Sequence, residues 1–199
     1  MKNINKNLIV YKIFLIMLII AGIIIFAIIF RKQYNDQVYD EENDEVTKNF
    51  HELQEAQNQE QPIELQMQGH KVIGIINIPA IDLEYPIIDK TTKETMRISI
   101  SKFSGGEINE IGNVALAGHN NYSGTMFGKN KNLKIKDKIY LTDLTRRTIE
   151  YEIYNIFVTD PNDTSILETE DKTKRELTLI TCKNGRSERL IIKARENTV

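Results

Sequence analysis

Residues 13–30 form an 18-residue run with no charged side chain, dominated by Ile and Leu. A helix needs a run of about that length to cross the hydrocarbon core of a bilayer. Lys12 can snorkel to the interface, which extends the apolar span back to Leu8. A cleaved signal peptide would need a shorter apolar core and a small-x-small site after it. Here Ala21-Gly22 lies in the middle of the run, and Phe30-Arg31-Lys32-Gln33 follows it. The expectation is an uncleaved signal-anchor helix over 13–30 behind a short cytoplasmic tail, 1–12. Lys2, Lys6, Lys12 and the amino terminus outnumber Arg31 and Lys32, so the tail stays inside and the rest of the chain faces outward.

Charge divides what remains. Residues 1–32 carry five basic and no acidic side chains, whereas residues 33–70 carry ten acidic side chains and one lysine. The latter stretch is Gln-rich and poor in apolar residues, and it reads as an acidic polar stalk over 31–70. Val46, Phe50, Leu53 and Ala56 fall at helical spacing, but the apolar face they make is thin. From residue 71 onward the balance is nearly neutral, which excludes a nucleic-acid-binding domain.

From Lys71 the texture becomes β-branched. Strands are expected at 72–78, 83–88, 113–117, 138–141, 148–158, 177–181 and 190–194. Pro86 points to an edge or a bulge in the second of them. Short helical segments are expected at 91–98, capped by Thr91 or Thr92, and at 126–133. Seven or eight short strands with only small helices make residues 71–199 an all-β barrel or sandwich.

Cys182 is the only cysteine, so no internal disulfide can form. It ends the run Leu177-Thr178-Leu179-Ile180-Thr181-Cys182, and Arg189 opens the next apolar run, Leu190-Ile191-Ile192. A cation beside a thiol favours the nucleophilic thiolate. Of the three histidines, His51 lies in the stalk and His70 at the domain boundary. Only His119 is placed like Cys182, at the exit of an apolar strand, in Val114-Ala115-Leu116-Ala117-Gly118-His119-Asn120. Arg186 competes with Arg189 as the cation near the thiol. Strand alternation and its place at the head of Leu-Ile-Ile favour Arg189.

These segments together resemble the sortase family, the cysteine transpeptidases that attach proteins to the Gram-positive cell envelope. The likeness rests on Ala117-Gly118-His119-Asn120, on Thr178-Leu179-Ile180-Thr181-Cys182 and on Arg189-Leu190-Ile191-Ile192. It extends to Ile78-Pro79-Ala80-Ile81-Asp82-Leu83-Glu84-Tyr85-Pro86-Ile87 and to Gly112-Asn113, and it spans about residues 72–195. The resemblance implies a closed eight-stranded β-barrel with its groove between the Cys182 and Arg189 strands and the His119 loop. It implies Cys182 as nucleophile on a sorting signal similar to Leu-Pro-x-Thr-Gly and His119 as proton donor and acceptor. Arg189 would stabilise the oxyanion, with Thr181 as oxyanion support or as an orienting residue for the arginine. The implied partners are surface proteins with a C-terminal sorting signal, an amine of a peptidoglycan precursor, and membrane lipid around the N-terminal helix.

The connection from 158 to 177 is too short for the helix-bearing insertion of class B. No Asp-Pro-Trp lid or second apolar span marks class C. A class D-like enzyme fits best, with a compact class A-like one next. No cofactor is expected: Glu107 and Glu110 precede the histidine strand, but two carboxylates are too few for the oxygen shell of calcium. Two rival readings differ in kind. Other thiol enzymes of the cell wall fail on residue order or on a missing Gly-rich Ser-x-Gly segment. A non-catalytic anchored β-domain would instead hold Cys182 as a small buried residue while binding a cell-surface partner.

Overall fold

The computed structural model describes residues 6–55, 63–183, 185 and 187–197, with side chains from Leu8 onward. The first part of the tail, residues 56–62 of the expected stalk, and Arg186 lie outside the described residues. Two compact units divide the chain, one ending at Tyr39 and one starting at Asp40.

Helix α1 (Lys6–Glu55) runs through both. In the first unit its apolar side chains from Leu8 to Phe30 are all exposed wherever they are large. An 18-residue window there has a mean hydropathy of 3.4 and no burial. A helix bonds its own backbone internally, which is what a span through lipid requires.

In the second unit the same helix is anything but a flexible stalk. Asn43, Thr47 and Phe50 are buried, and their spacing puts them on one helical face. Asn43 Nδ2 donates to the Ile98 carbonyl at 2.7 Å, and Arg146 Nη2 donates to the Leu53 carbonyl at 3.2 Å. Tyr85 Oη donates to Asp40, and His51 Nε2 lies 3.1 Å from Glu84 Oε1. The expectation of a stalk is corrected for residues 40–55. Two of the three buried side chains are polar, so an apolar count underrates the face. Ile63, Leu65 and Met67 are buried as well, so packing reaches back well before residue 71.

The barrel follows. A two-residue strand, β1 (Gln66–Met67), pairs with β2 (His70–Ile78). After it come β3 (Leu83–Ile88), β4 (Ile100–Ser104), β5 (Gly112–Ala117), β6 (Lys138–Asp143), β7 (Thr148–Thr159), β8 (Arg175–Lys183) and β9 (Glu188–Glu196). The sheet order is β1-β2-β3-β4-β5-β8-β9-β7-β6, and pairing of β2 with β6 closes it. Strands β2 to β9 therefore form the closed eight-stranded barrel, with β1 as an added edge. β5 and β8 are parallel neighbours, whereas β8–β9 and β9–β7 are antiparallel. Side chains alternate across each strand. Ile76, Ile78, Leu116, Ile139, Leu141, Ile153, Leu177, Leu179, Ile192 and Ala194 fill the main core. Ala115, Ile180 and Ile191 turn to the other face and pack with Ile166.

Two expectations shift in detail. Pro86 lies within the closed sheet rather than at an edge, opposite Ile75 of β2, on the face away from Tyr85 and Ile87 of the main core. Its carbonyl accepts from Ser99 Oγ at 2.7 Å, so the strand side lacking an N–H faces away from the β2 ladder and costs no ladder bond. Helix α2 is only Thr95–Ile98; Thr92 Oγ1 accepts from the N–H of Glu94 and of Thr95 at its start.

Candidate active site

Cys182 stands next to the end of β8, half-exposed. The β8–β9 register sets it opposite Arg189, which is also opposite Thr159 of β7. Directly opposed residues of an antiparallel pair carry their side chains on the same face. Cys182 shares the parity of Ile180, and Arg189 that of Ile191, so both belong to the outer face of the barrel wall. Arg189 Nη1 donates to the Glu188 carbonyl at 3.1 Å.

His119 follows β5 on the neighbouring side of β8. The parallel ladder pairs Ala117 with Ile180, and the N–H of Gly118 donates to the Ile180 carbonyl at 3.2 Å. The chain leaves the sheet there. A Cβ on Gly118 would stand 2.7 Å from Phe127 Cδ2, so only glycine lets the buried Phe127 ring close the turn before His119. The His119 carbonyl accepts from the Phe127 N–H at 3.0 Å. Asn120 and Met126 form an isolated bridge, with Met126 at φ 48°, a region non-glycine residues seldom occupy. His119, Cys182 and Arg189 thus come from three strand ends in consecutive sheet positions, β5, β8 and β9.

Thr181 is buried, and its Oγ1 donates to the Gly118 carbonyl at 2.8 Å. It shares the parity of Leu179, so it faces the barrel interior. On the other side of His119, Asn120 Nδ2 donates to the Cys182 carbonyl at 2.9 Å.

The β7–β8 connection covers the outer face beside the thiol. Its short helical turn, Ser165–Leu167, puts Ile166 onto Ile180 and Ile191. Asn113 holds it: Nδ2 donates to the Ile166 carbonyl at 3.2 Å, and Oδ1 accepts from Thr178 Oγ1 at 2.9 Å. Glu176, buried in β8, accepts from the N–H of Glu170 at 2.8 Å and of Asp171 at 2.9 Å. Arg195 Nη2 donates to the same carboxylate at 2.9 Å. Lys193 is buried nearby; desolvation draws its ammonium below the usual lysine range, against the pull of Glu170 and Glu176.

The acidic pair before β5 is engaged elsewhere. Glu110 Oε1 lies 2.7 Å from Arg147 Nη2, and Glu107 Oε1 lies 3.8 Å from Lys102 Nζ. Among the described residues no group of three or more His, Cys, Asp or Glu side chains is arranged to hold a metal ion. Asn113, Asn120 and Glu176 escaped sequence reasoning as functional residues. Only Asn113 left a trace, in the Gly112-Asn113 match.

Comparison with known proteins agrees with the geometry. The family model "Sortase domain" matches residues 76–197. Sortase A of Bacillus anthracis is 35% identical over 113 residues, covering 56% of this chain and 52% of that protein. Sortase D of Bacillus subtilis is 32% identical over 110 residues, covering 55% and 53%. The chain spans about half the length of these curated relatives. Among solved structures, a Clostridium perfringens Sortase D5 transpeptidase superposes with a TM-score of 0.62 at 27% identity, covering 81% of this chain and 99% of that one. The matched family region starts inside β2 and runs past the end of β9, taking in Cys182, His119 and Arg189, and on that basis the chain belongs to the sortase family.

Proposed function

We propose that this chain is a membrane-anchored cysteine transpeptidase. It cleaves a sorting signal similar to Leu-Pro-x-Thr-Gly after the threonine and transfers the N-terminal part, through the threonine carbonyl, to an amine of a peptidoglycan precursor. The observation that carries the proposal is the register that sets Cys182 opposite Arg189, with the His119 strand end on the adjoining strand.

The chemistry follows from those groups. The Cys182 thiolate attacks the carbonyl carbon of the signal threonine, and the carbonyl electron pair moves onto oxygen. The Arg189 guanidinium faces that developing charge and donates hydrogen bonds to it. Protonated His119 gives its proton to the departing glycine amine as the C–N bond breaks, leaving a thioester on Cys182. An incoming amine then attacks the thioester carbon, His119 takes the proton it sheds, and the thiolate leaves as the new amide forms. Thiol, imidazole and guanidinium suffice for both halves, so no cofactor is invoked. Glu107 and Glu110 supply too few oxygens for calcium and already face cations.

Helix α1 supplies the anchor through residues 13–30, with the barrel on the outer side of the membrane, where surface proteins and cell-wall precursors meet it. The short β7–β8 connection and the likeness to the Bacillus subtilis and Clostridium perfringens proteins support a class D-like assignment.

The test is to incubate the detergent-solubilised full chain with a library of Leu-Pro-x-Thr variants and a panel of amines, reading ligated products by mass spectrometry. Ligation that disappears in Cys182→Ala supports the proposal. Undiminished ligation in that variant, or none with any peptide, removes it.

A further inference from the structure

Two side chains flanking the proposed catalytic pair cross between their strands in opposite directions. Thr181, immediately before Cys182, donates its hydroxyl proton to the carbonyl of Gly118, immediately before His119, at 2.8 Å. Asn120, immediately after His119, donates its amide proton to the carbonyl of Cys182 itself, at 2.9 Å. Both bonds lie where the β5–β8 ladder runs out. The last backbone bond between the strands is Gly118 N–H to the Ile180 carbonyl, at 3.2 Å. Beyond it the histidine and the cysteine sit on diverging chain segments, and nothing in the ladder fixes their separation.

We propose that Asn120 and Thr181 form a two-point clasp that fixes the position of His119 relative to Cys182, with Asn120 as a positioning residue not foreseen in the sequence. It rests on the transpeptidase reading of Cys182 and His119.

Three features support a positional rather than a chemical role. The proton of Thr181 is committed to Gly118, and the hydroxyl lies on the inner face, opposite to that of Cys182, so it is poorly placed to meet an oxyanion at the thiol. The Cys182 carbonyl turns toward β5, beyond the Gly118–Ile180 backbone bond, and there it takes Asn120 Nδ2 as its donor. The His119 loop is also held from its far side. The Phe127 N–H bonds the His119 carbonyl, and a Cβ on Gly128 would come 2.3 Å from the Asn121 carbonyl oxygen. With the loop packed that closely, losing the Asn120 bond tilts the segment carrying the imidazole without unfolding it.

The experiment uses the full chain in detergent, with Asn120→Ala, Thr181→Val and Thr181→Ser, each also in a His119→Ala background. Cys182 is the only cysteine, so alkylation by iodoacetamide reports on it alone. Its rate against pH is measured beside peptide turnover and melting temperature. A misplaced imidazole lowers kcat by about 10- to 100-fold, with KM and melting temperature little changed. Asn120→Ala and Thr181→Val should both do so, and Thr181→Ser should restore most of the rate. Both should move the alkylation pH profile when His119 is present and leave it unmoved in the His119→Ala background. Wild-type kcat and an unmoved profile in both variants overturn the clasp, as does an equal shift with and without His119. Should wild type turn over no peptide, the transpeptidase reading falls on that ground, and the alkylation profiles still decide the clasp.

Discussion

Cys182 and Arg189 face each other across the β8–β9 pair, and the Cys182 carbonyl points away from β9, toward Asn120 of the β5 side. Theirs is therefore a non-hydrogen-bonded pair, the kind in which opposed Cα atoms approach to about 4.5 Å and the side chains stand closest. The backbone thus sets Arg189 directly opposite Cys182 without relying on a loop.

On the proposed oxyanion role, the fork of the arginine matters and not only its charge. Arg189→Lys keeps the charge but loses the planar donors. Both Arg189→Lys and Arg189→Ala should lower kcat/KM for a sorting-signal peptide by about 10²–10³-fold, the usual effect of removing an oxyanion donor. Steady-state turnover measures it, and near-wild-type activity in Arg189→Lys would count against the oxyanion role.

Helix residues 40–55 should behave as part of the barrel unit. Phe50 is fully buried on that segment, so Phe50→Ala should destabilise the unit by about 3–5 kcal/mol. Denaturant unfolding of the full chain followed by tyrosine fluorescence reads this. An unchanged midpoint would mean that the helix adds nothing to the barrel.

The β7–β8 connection depends on Glu176. Replacing it with Gln takes charge from a buried carboxylate that accepts from Arg195 and from two backbone amides. The expected loss is about 1.5–3 kcal/mol, the range for a hydrogen bond to a charged group. Faster hydrogen exchange should be confined to residues 165–171 and their β8 contacts. Uniform acceleration throughout the barrel would contradict a local tether.

Acid should loosen the opposite wall. Burial pushes the Asp143 carboxyl up, but bonds from Thr145, Arg147 and Asn109 outweigh it and hold the group below its ordinary value of 3.8. Glu150 is lowered to about 2 by Asn197, Lys138 and Tyr140. A carboxylate depressed on folding adds stability that is complete above its unfolded pKa and disappears as pH falls through the folded one. Stability should therefore decline below about pH 4.5. Asp143→Asn should be less stable at neutral pH and show a shallower acid limb. Equal pH slopes in variant and wild type would exclude Asp143 as a contributor.

Much of this architecture was readable from residues alone, for identifiable reasons. β2, β5, β8 and β9 are continuous β-branched or apolar runs because they are buried in the wall of a closed barrel. Cys182, His119 and Arg189 stood out because each ends or opens such a run. β4 was missed: Ile100-Ser101-Lys102-Phe103-Ser104 is brief and mixes polar with exposed positions. The docked half of α1 was missed because polar side chains, Asn43 and Thr47, occupy its buried face, and Asn43 docks by donating to the Ile98 carbonyl. Asn120 carries no periodicity; its role exists only once β5 and β8 are known to be parallel neighbours.

The most direct measurement is the intact mass of the full chain after brief exposure to a Leu-Pro-x-Thr-Gly peptide without added amine. The predicted result is a covalent adduct equal to the peptide's N-terminal acyl fragment ending in threonine, mapped to Cys182, absent in Cys182→Ala and released by hydroxylamine. An unmodified chain that nonetheless consumes the peptide, or an adduct on any residue other than Cys182, would contradict it.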